Sequence, residues 1–316
     1  MQGRIEKDSL GEKEVPAGAY YGIQTARAVE NYPISGWKAH PRLVDAYMYQ
    51  KKASALANKE AGVLKAELAD AIVKACEEVL AGGLRDQFVV DVFQAGAGVS
   101  QHMNTNEVLA NRAIEILGGR KGDYSLVHPN DHVNFGQSTN DTYPTAMRIA
   151  ALLSARDLEP ELAALETSLD AKAKEFDHVL KSGRTHLQDA VPVRLGQEFA
   201  AYARAMGRGR QLLHDACRHL QELGLGGTAA GTGLNTAPGY RDKAIQHLRR
   251  LTSLDLRPSP DMREAMQSNL PMSAVASAQR MIALELIRIT NDLRLLASGP
   301  ITGMAEIVLP AVQPGS

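Results

Sequence analysis

Hydrophobic positions in the second half of the chain recur at three- and four-residue steps over long stretches, about 145–180, 193–223 and 271–297. In the last of these, Val275, Ala278, Ile282, Leu286, Ile289, Leu293 and Leu296 make one continuous stripe. Such stretches predict helices about 40 Å long at roughly 1.5 Å per residue, and long helices in one chain predict a bundle. Met281, Leu284, Ile287 and Leu295 fall outside the main stripe. The last helix is therefore expected to need cover on a second side, which neighbouring subunits would supply.

The first half has a shorter grain. Pro41 opens a predicted helix to about Glu60, carrying Leu43, Val44, Ala46, Tyr47, Ala53 and Leu56. A second is predicted over about 65–80, closed by Gly82-Gly83, and a third over about 104–117, closed by Gly118-Gly119. Residues 1 to about 40 hold Gly11, Pro16, Gly18, Gly22, Pro33 and Gly36 and read as turns with a small hairpin. Two polar, irregular segments, Gln94–Ser100 and Val127–Asp141, separate these elements. The fold expected is mainly α: a small mixed N-terminal domain over 1–140, then a long-helix bundle domain over 141–316. The last helix stops at Ser298-Gly299-Pro300, and a Gly-rich stretch runs on to Pro314-Gly315-Ser316. A terminus on an unfinished turn there leads us to expect a shortened chain, its bundle incomplete and a C-terminal domain missing.

Composition narrows the function classes. The 316 residues include 35 basic and 36 acidic side chains, so no net field recruits nucleic acid or an anionic membrane. Aromatic residues are only 5%, which suits helices packed through small side chains better than sheets. Cys76 and Cys217 each lie in a helical pattern and read as structural thiols, without the spacing of a zinc site. The N-terminus is charged where a signal peptide is apolar, and no apolar run reaches membrane-spanning length, so a cytoplasmic protein is expected.

Among the candidate motifs, Gly224–Gly231 has the glycines of a dinucleotide loop. It follows a charged helix, about Arg204 to Glu222, instead of a strand, which argues against that reading. His128 and His132 read as satisfied loop histidines, and His214 and His219, five apart, do not share a helical face. Three polar clusters remain: Ser138-Thr139-Asn140, Gly183-Arg184-Thr185-His186 and Gly315-Ser316. One such cluster is commonly a cap or turn. Three, rich in hydroxyl, amide and imidazole donors, suit carboxylate oxygens. Spacing does not establish that they meet.

With these residues together the chain resembles the aspartase/fumarase superfamily over its whole length. The resemblance rests on Arg4–Asp8, Gln94–Gly98, Asn134–Asp141, Gly183–Ala190, Gly226–Asn235 and Ser298–Ser316. Gly11–Pro16, Ala19–Thr25 and Leu309–Pro314 look like the aspartate ammonia-lyase branch. The resemblance implies a homotetramer with sites built from three subunits, acting on L-aspartate or fumarate; no cofactor and no metal-ligand set is expected, with activation by a divalent metal left open. It implies that Ser138 and Thr139 bind the β-carboxylate, that Asn140 and His186 contact the amino group, that Thr185 binds the α-carboxylate, and that Ser316 is the general base. The family's loop continues past that serine with a Lys and an Asn that also bind substrate.

Two departures from the family pattern stand out. Gly-Ala-Gly-Thr-Ser is here Gly96-Ala97-Gly98-Val99-Ser100, with apolar Val99 at a substrate-binding position beside Ser100, and Ser-Gly-Pro-Arg is Ser298-Gly299-Pro300-Ile301. Fumarate hydratase, or another fumarate-releasing lyase, is the alternative reaction. A catalytically silent fragment or helical assembly subunit is the alternative of another class.

Overall fold

A computed structural model describes residues 3–315. In chain order the elements are β1 (Gly3–Asp8), β2 (Gly11–Pro16), α1 (Ile23–Asn31), α2 (Pro41–Glu60), α3 (Ala66–Leu80), α4 (Val99–Ile116) and α5 (Thr139–Glu175). They continue with β3 (Leu180–Thr185), β4 (Gln188–Arg194), α6 (Leu195–Arg218), β5 (Glu222–Leu223), α7 (Tyr240–Thr252), β6 (Arg257–Pro258), α8 (Met262–Gln267) and α9 (Leu270–Leu296). The mainly helical expectation holds. The strands pair only two by two: β1 with β2 and β3 with β4 antiparallel, β5 with β6 parallel.

Contacts divide the chain into two compact units, residues 1–154 with 220–269, and residues 155–219 with 270–316. The change of texture near 141 coincides with the start of α5, and the contact grouping changes further along that helix, between Ser154 and Ala155.

In the first unit, α2 packs against α3 and α7, and α3 against α4. Tyr47, Met48, Ile72, Leu109, Leu153 and Tyr240 are fully buried there. Helix α4 differs in kind, because its buried residues include Gln101, His102, Asn104, Thr105, Asn106, Glu107 and Asn111. Two of these polar groups hold the irregular segments: Asn104 accepts from Val89 N at 2.9 Å and donates to Gln87 O at 2.9 Å, while Asn111 donates to Tyr20 O at 2.8 Å and accepts from Gly122 N at 2.7 Å. Buried loop backbone must find partners, and α4 supplies them.

Helix α1 lies in the stretch expected to be turns. It has no side-chain cap of its own. Its first donors go to carboxylates distant in sequence: Ile23 N to Glu6 at 2.8 Å, and Gln24 N and Thr25 N to Glu107 at 2.9 and 3.1 Å. Anions at a helix N-terminus satisfy both the orphan donors and the dipole. Gly22 permits the approach, since a Cβ there would lie 2.3 Å from Tyr124 Oη and 2.9 Å from Glu107 Cδ. Gly22→Ala is expected to cost about 1–3 kcal/mol through overpacking, read as a lower urea midpoint with an unchanged slope.

In the second unit α6 packs along α9, with Leu195, Phe199, Met206, Leu213, Ile282 and Ile289 buried. Phe176, Phe199 and Tyr202 form an edge-to-face series with centroids 5.2 and 5.7 Å apart. On α9 the stripe is buried at Val275, Ala278, Ile282, Ile289 and Leu296, while Met281, Leu284, Ile287 and Leu295 remain exposed, as their positions off the stripe required.

Candidate active site

The Ser138 cluster begins α5 with a reciprocal cap. Ser138 Oγ accepts from Asn140 N at 3.2 Å, and Asp141 Oδ1 accepts from Ser138 N at 2.9 Å. This cap starts the helix at Thr139, ahead of the start near 145 that the apolar pattern predicts. The other oxygen of Asp141 accepts from Gly226 N and Thr228 N, both at 3.0 Å, and Asn140 Nδ2 donates to Ala229 O at 2.8 Å. The glycine-rich loop 224–231 is thus a wall fastened to the start of α5. It follows the two-residue strand β5, which pairs in parallel with β6 beyond α7, and not the helix expected to run to Glu222, since α6 ends at Arg218. Its glycines still open no helix, because α7 begins only at Tyr240, as a dinucleotide loop would not allow. Burial pushes the Asp141 carboxyl up to about 6, against the pull of its three backbone donors and Lys51.

Thr139 and Asn140 line a cavity of about 610 Å³ together with Tyr143, Ala229, Arg263 and Gln267. Ala97 lines it too. The 96–98 turn fits closely here: Gly98 has φ +75°, and a Cβ on it would sit 2.0 Å from the Tyr143 ring. Val99 and Ser100 line a different cavity, of about 540 Å³, shared with Glu107, Tyr124 and His128.

Behind Thr139 lies a buried group that the sequence did not single out. Lys51 Nζ is 2.7 Å from His102 Nε2 and donates to Asn134 Oδ1 and Gln137 Oε1, both at 2.9 Å. His102 Nδ1 is 2.7 Å from Thr139 Oγ1, and the ring stacks on Tyr47 at 5.8 Å and 13°. Burial lowers Lys51 to about 7; burial and then Lys51 hold His102 well below its ordinary value. The one available signal was helical spacing, since Lys51 falls four residues after Tyr47 and three before Ser54, both buried.

Thr185 and His186 belong to the second unit, at the tip of the β3–β4 hairpin. His186 and Leu187 form its two-residue turn at φ 50° and 59°, which glycine or asparagine would adopt more cheaply. Strain of this kind recurs at functional positions. Within the same unit the segment after α9 folds back: Glu306 N donates to Leu296 O at 2.9 Å, and the Glu306 carboxylate bridges Lys181 at 2.5 Å and Arg184 at 2.6 Å. Those cations, Arg184 first, hold its carboxyl below the usual range. Ser316, the expected base, lies outside the described residues.

His128 Nδ1 accepts from Asn130 N and Asp131 N at 3.2 and 3.1 Å, and His132 Nδ1 accepts from His128 N at 2.8 Å. Both histidines shape their own turn.

The comparisons with known proteins fit this geometry. The family model for lyases matches residues 11–316. An aspartate ammonia-lyase of a Bacillus species is 49% identical over 313 residues, 99% of this chain and 67% of that protein. A class II fumarate hydratase of Halobacterium salinarum is 52% identical over 314 residues, again 99% and 67%. Among solved structures, fumarate lyase:delta crystallin from Brucella melitensis bound to cobalt superposes with TM-score 0.97 at 48% identity, covering 100% of this chain and 69% of that one. Recombinant class II fumarase from Schistosoma mansoni superposes with TM-score 0.97 at 36% identity, covering 100% and 70%. The chain spans about two thirds of the length of the curated relatives it matches. Matched in sequence and in fold across nearly its whole length, the chain belongs to the lyase family, within the aspartase/fumarase superfamily.

Proposed function

We propose that this chain belongs to an ammonia-lyase that converts L-aspartate reversibly to fumarate and ammonia. The observation that carries the reading is the cavity on which Thr139 and Asn140 open, with Arg263 in its lining. Ser138 Oγ spends only an acceptor on its cap, so its proton stays available to an anion. Hydroxyl and amide donors suit a dicarboxylate whose charge grows during reaction, and Arg263, paired with Asp261 at 3.0 and 3.1 Å, keeps further N–H groups beside them.

In this reading the Ser316 side chain, as its oxyanion, takes a proton from Cβ and becomes a hydroxyl, and the C–H electrons pass to the β-carboxylate as an aci-carboxylate dianion held by Ser138 and Thr139. Collapse of the dianion forms the C=C bond and breaks the C–N bond, so that ammonia leaves. Thr185 would bind the α-carboxylate, and Asn140 and His186 the amino group. The enzyme would be a cytoplasmic homotetramer with sites shared among subunits, which the exposed apolar residues of α9 support.

A second reading, fumarate hydratase, is favoured by the 52% identity to the Halobacterium enzyme. Following the ultraviolet absorbance of fumarate separates the two readings, with L-aspartate and L-malate offered side by side to the chain and to any longer product of its reading frame. Fumarate from L-aspartate is expected; fumarate from L-malate alone would replace the first reading with the second. Val99 lines the other cavity, with Ser100 and Glu107; on the family resemblance alone it is proposed to cost the site one hydroxyl. Val99→Thr is then expected to lower KM roughly tenfold, the worth of a hydrogen bond to a charged group. An unchanged KM would remove Val99 from the site.

A further inference from the structure

We propose that Lys51 and His102 form a buried relay that presents the Thr139 hydroxyl to the cavity as a hydrogen-bond donor, making His102 a positioning residue. The proposal rests on the reading of that cavity as a carboxylate site.

An ammonium has three N–H donors and no lone pair. Lys51 Nζ meets three acceptors, His102 Nε2, Asn134 Oδ1 and Gln137 Oε1, at 2.7, 2.9 and 2.9 Å. Nε2 must therefore be the bare nitrogen of a neutral ring, and Nδ1 carries the proton. Nδ1 lies 2.7 Å from Thr139 Oγ1, which accepts it. The threonine proton cannot point back at the ring and is left for the cavity that Thr139 lines. Thr142, the other hydroxyl near the ring, is spent on Ser138 O at 2.8 Å.

The chain can also run the other way. A neutral Lys51 amine would keep two N–H bonds for Asn134 and Gln137 and accept from Nε2–H with its lone pair. Nδ1 would then take the threonine proton, and the cavity would meet lone pairs. The two polarities differ by one proton on Lys51, and an anion in the cavity selects the donor form. The titratable groups acting on Lys51 are Asp141 on α5 and Cys76 on α3, besides His102 on α4.

A double-mutant cycle on KM, or on fumarate affinity by calorimetry, tests the relay. His102→Phe keeps a ring against Tyr47 and removes both nitrogens; it is expected to raise KM roughly tenfold, since the donor is no longer fixed. His102→Gln keeps one donor and one acceptor and is expected to restore most of the affinity. His102→Phe with Thr139→Val should be no worse than Thr139→Val alone. Losses that multiply in the double variant would overturn the proposal, because His102 would then act by packing alone.

If His102→Phe does not fold, nitrogen-15 spectra of histidine-labelled wild-type protein decide. The ring proton is expected on Nδ1 in mildly acidic buffer, and finding it on Nε2 there overturns the relay. That measurement needs no substrate. A wild-type chain that neither turns over L-aspartate nor binds fumarate, yet carries the proton on Nδ1, would sink the functional reading and leave the relay standing.

Discussion

Replacing Asp141 with alanine is expected to lower the stability of the protein by about 3–5 kcal/mol, as for a buried charge deleted from its partners. The carboxylate is fully buried and receives Ser138 N, Gly226 N and Thr228 N at 2.9, 3.0 and 3.0 Å. Alanine leaves those three donors without an acceptor, at about 1–3 kcal/mol each before relaxation. It also removes the carboxylate that favours the charged form of Lys51. The damage should be local first: the 224–231 loop should lose its hydrogen-exchange protection before the α2–α3 core does.

The pH dependence has a definite sign. Burial raises the Asp141 carboxyl from 3.8 to about 6, so between those values the folded chain holds a proton that the unfolded chain has released. The stability linked to that proton is complete below about 3.8 and is lost as the pH rises through about 6. Asp141→Ala should flatten the curve across this window. Its loss should be larger at the acid end than at neutrality.

Thr139→Val is expected to raise KM for L-aspartate roughly 10- to 100-fold, from about 1.5–3 kcal/mol for a hydrogen bond to a charged group. Valine keeps the shape but presents a methyl group both to the cavity and to His102 Nδ1–H. If the bond to the β-carboxylate strengthens as charge develops there, kcat falls as well, and the ratio of the two effects reports how much of it is made only in the transition state. The protein should also lose about 1–3 kcal/mol of stability, because His102 Nδ1 is left without the Thr139 oxygen 2.7 Å away, and the KM change is read at a temperature where both proteins are folded.

Where apolar periodicity carries the folding information, the sequence reading was nearly complete. Helix α2 begins at the proline and ends at the glutamate expected of it, and α9 spans 270–296 against an expected 271–297. The failures at α1 and α4 share a cause, partners distant in sequence. Helix α1 draws its cap from Glu6 and Glu107, which no local pattern reveals. Helix α4 begins five residues earlier than expected, since its first turns are polar yet buried among loops, so they lack an amphipathic stripe. Helix α7 went unforeseen although Tyr240, Ala244, Ile245 and Leu248 recur along it at helical spacing, and α8 and the β3–β4 hairpin were missed too, the hairpin because its turn, His186-Leu187, is made without glycine.

The candidate site divides the same way. Ser138, Thr139 and Asn140 were legible as donors crowded at an element boundary. Lys51 was not, because beside Lys52 it reads as part of a solvated face. Lys52 does pair at the surface with Glu77, at 2.6 Å, while Lys51 is fully buried. Helical spacing from Tyr47 is the one hint in the sequence that separates them.

Fumarate binding, measured by calorimetry on wild-type and Thr139→Val protein side by side, tests the central claim that this cavity receives a dicarboxylate. The account predicts saturable binding to the wild type, weakened roughly tenfold or more in the variant. Equal affinity in both proteins would contradict it.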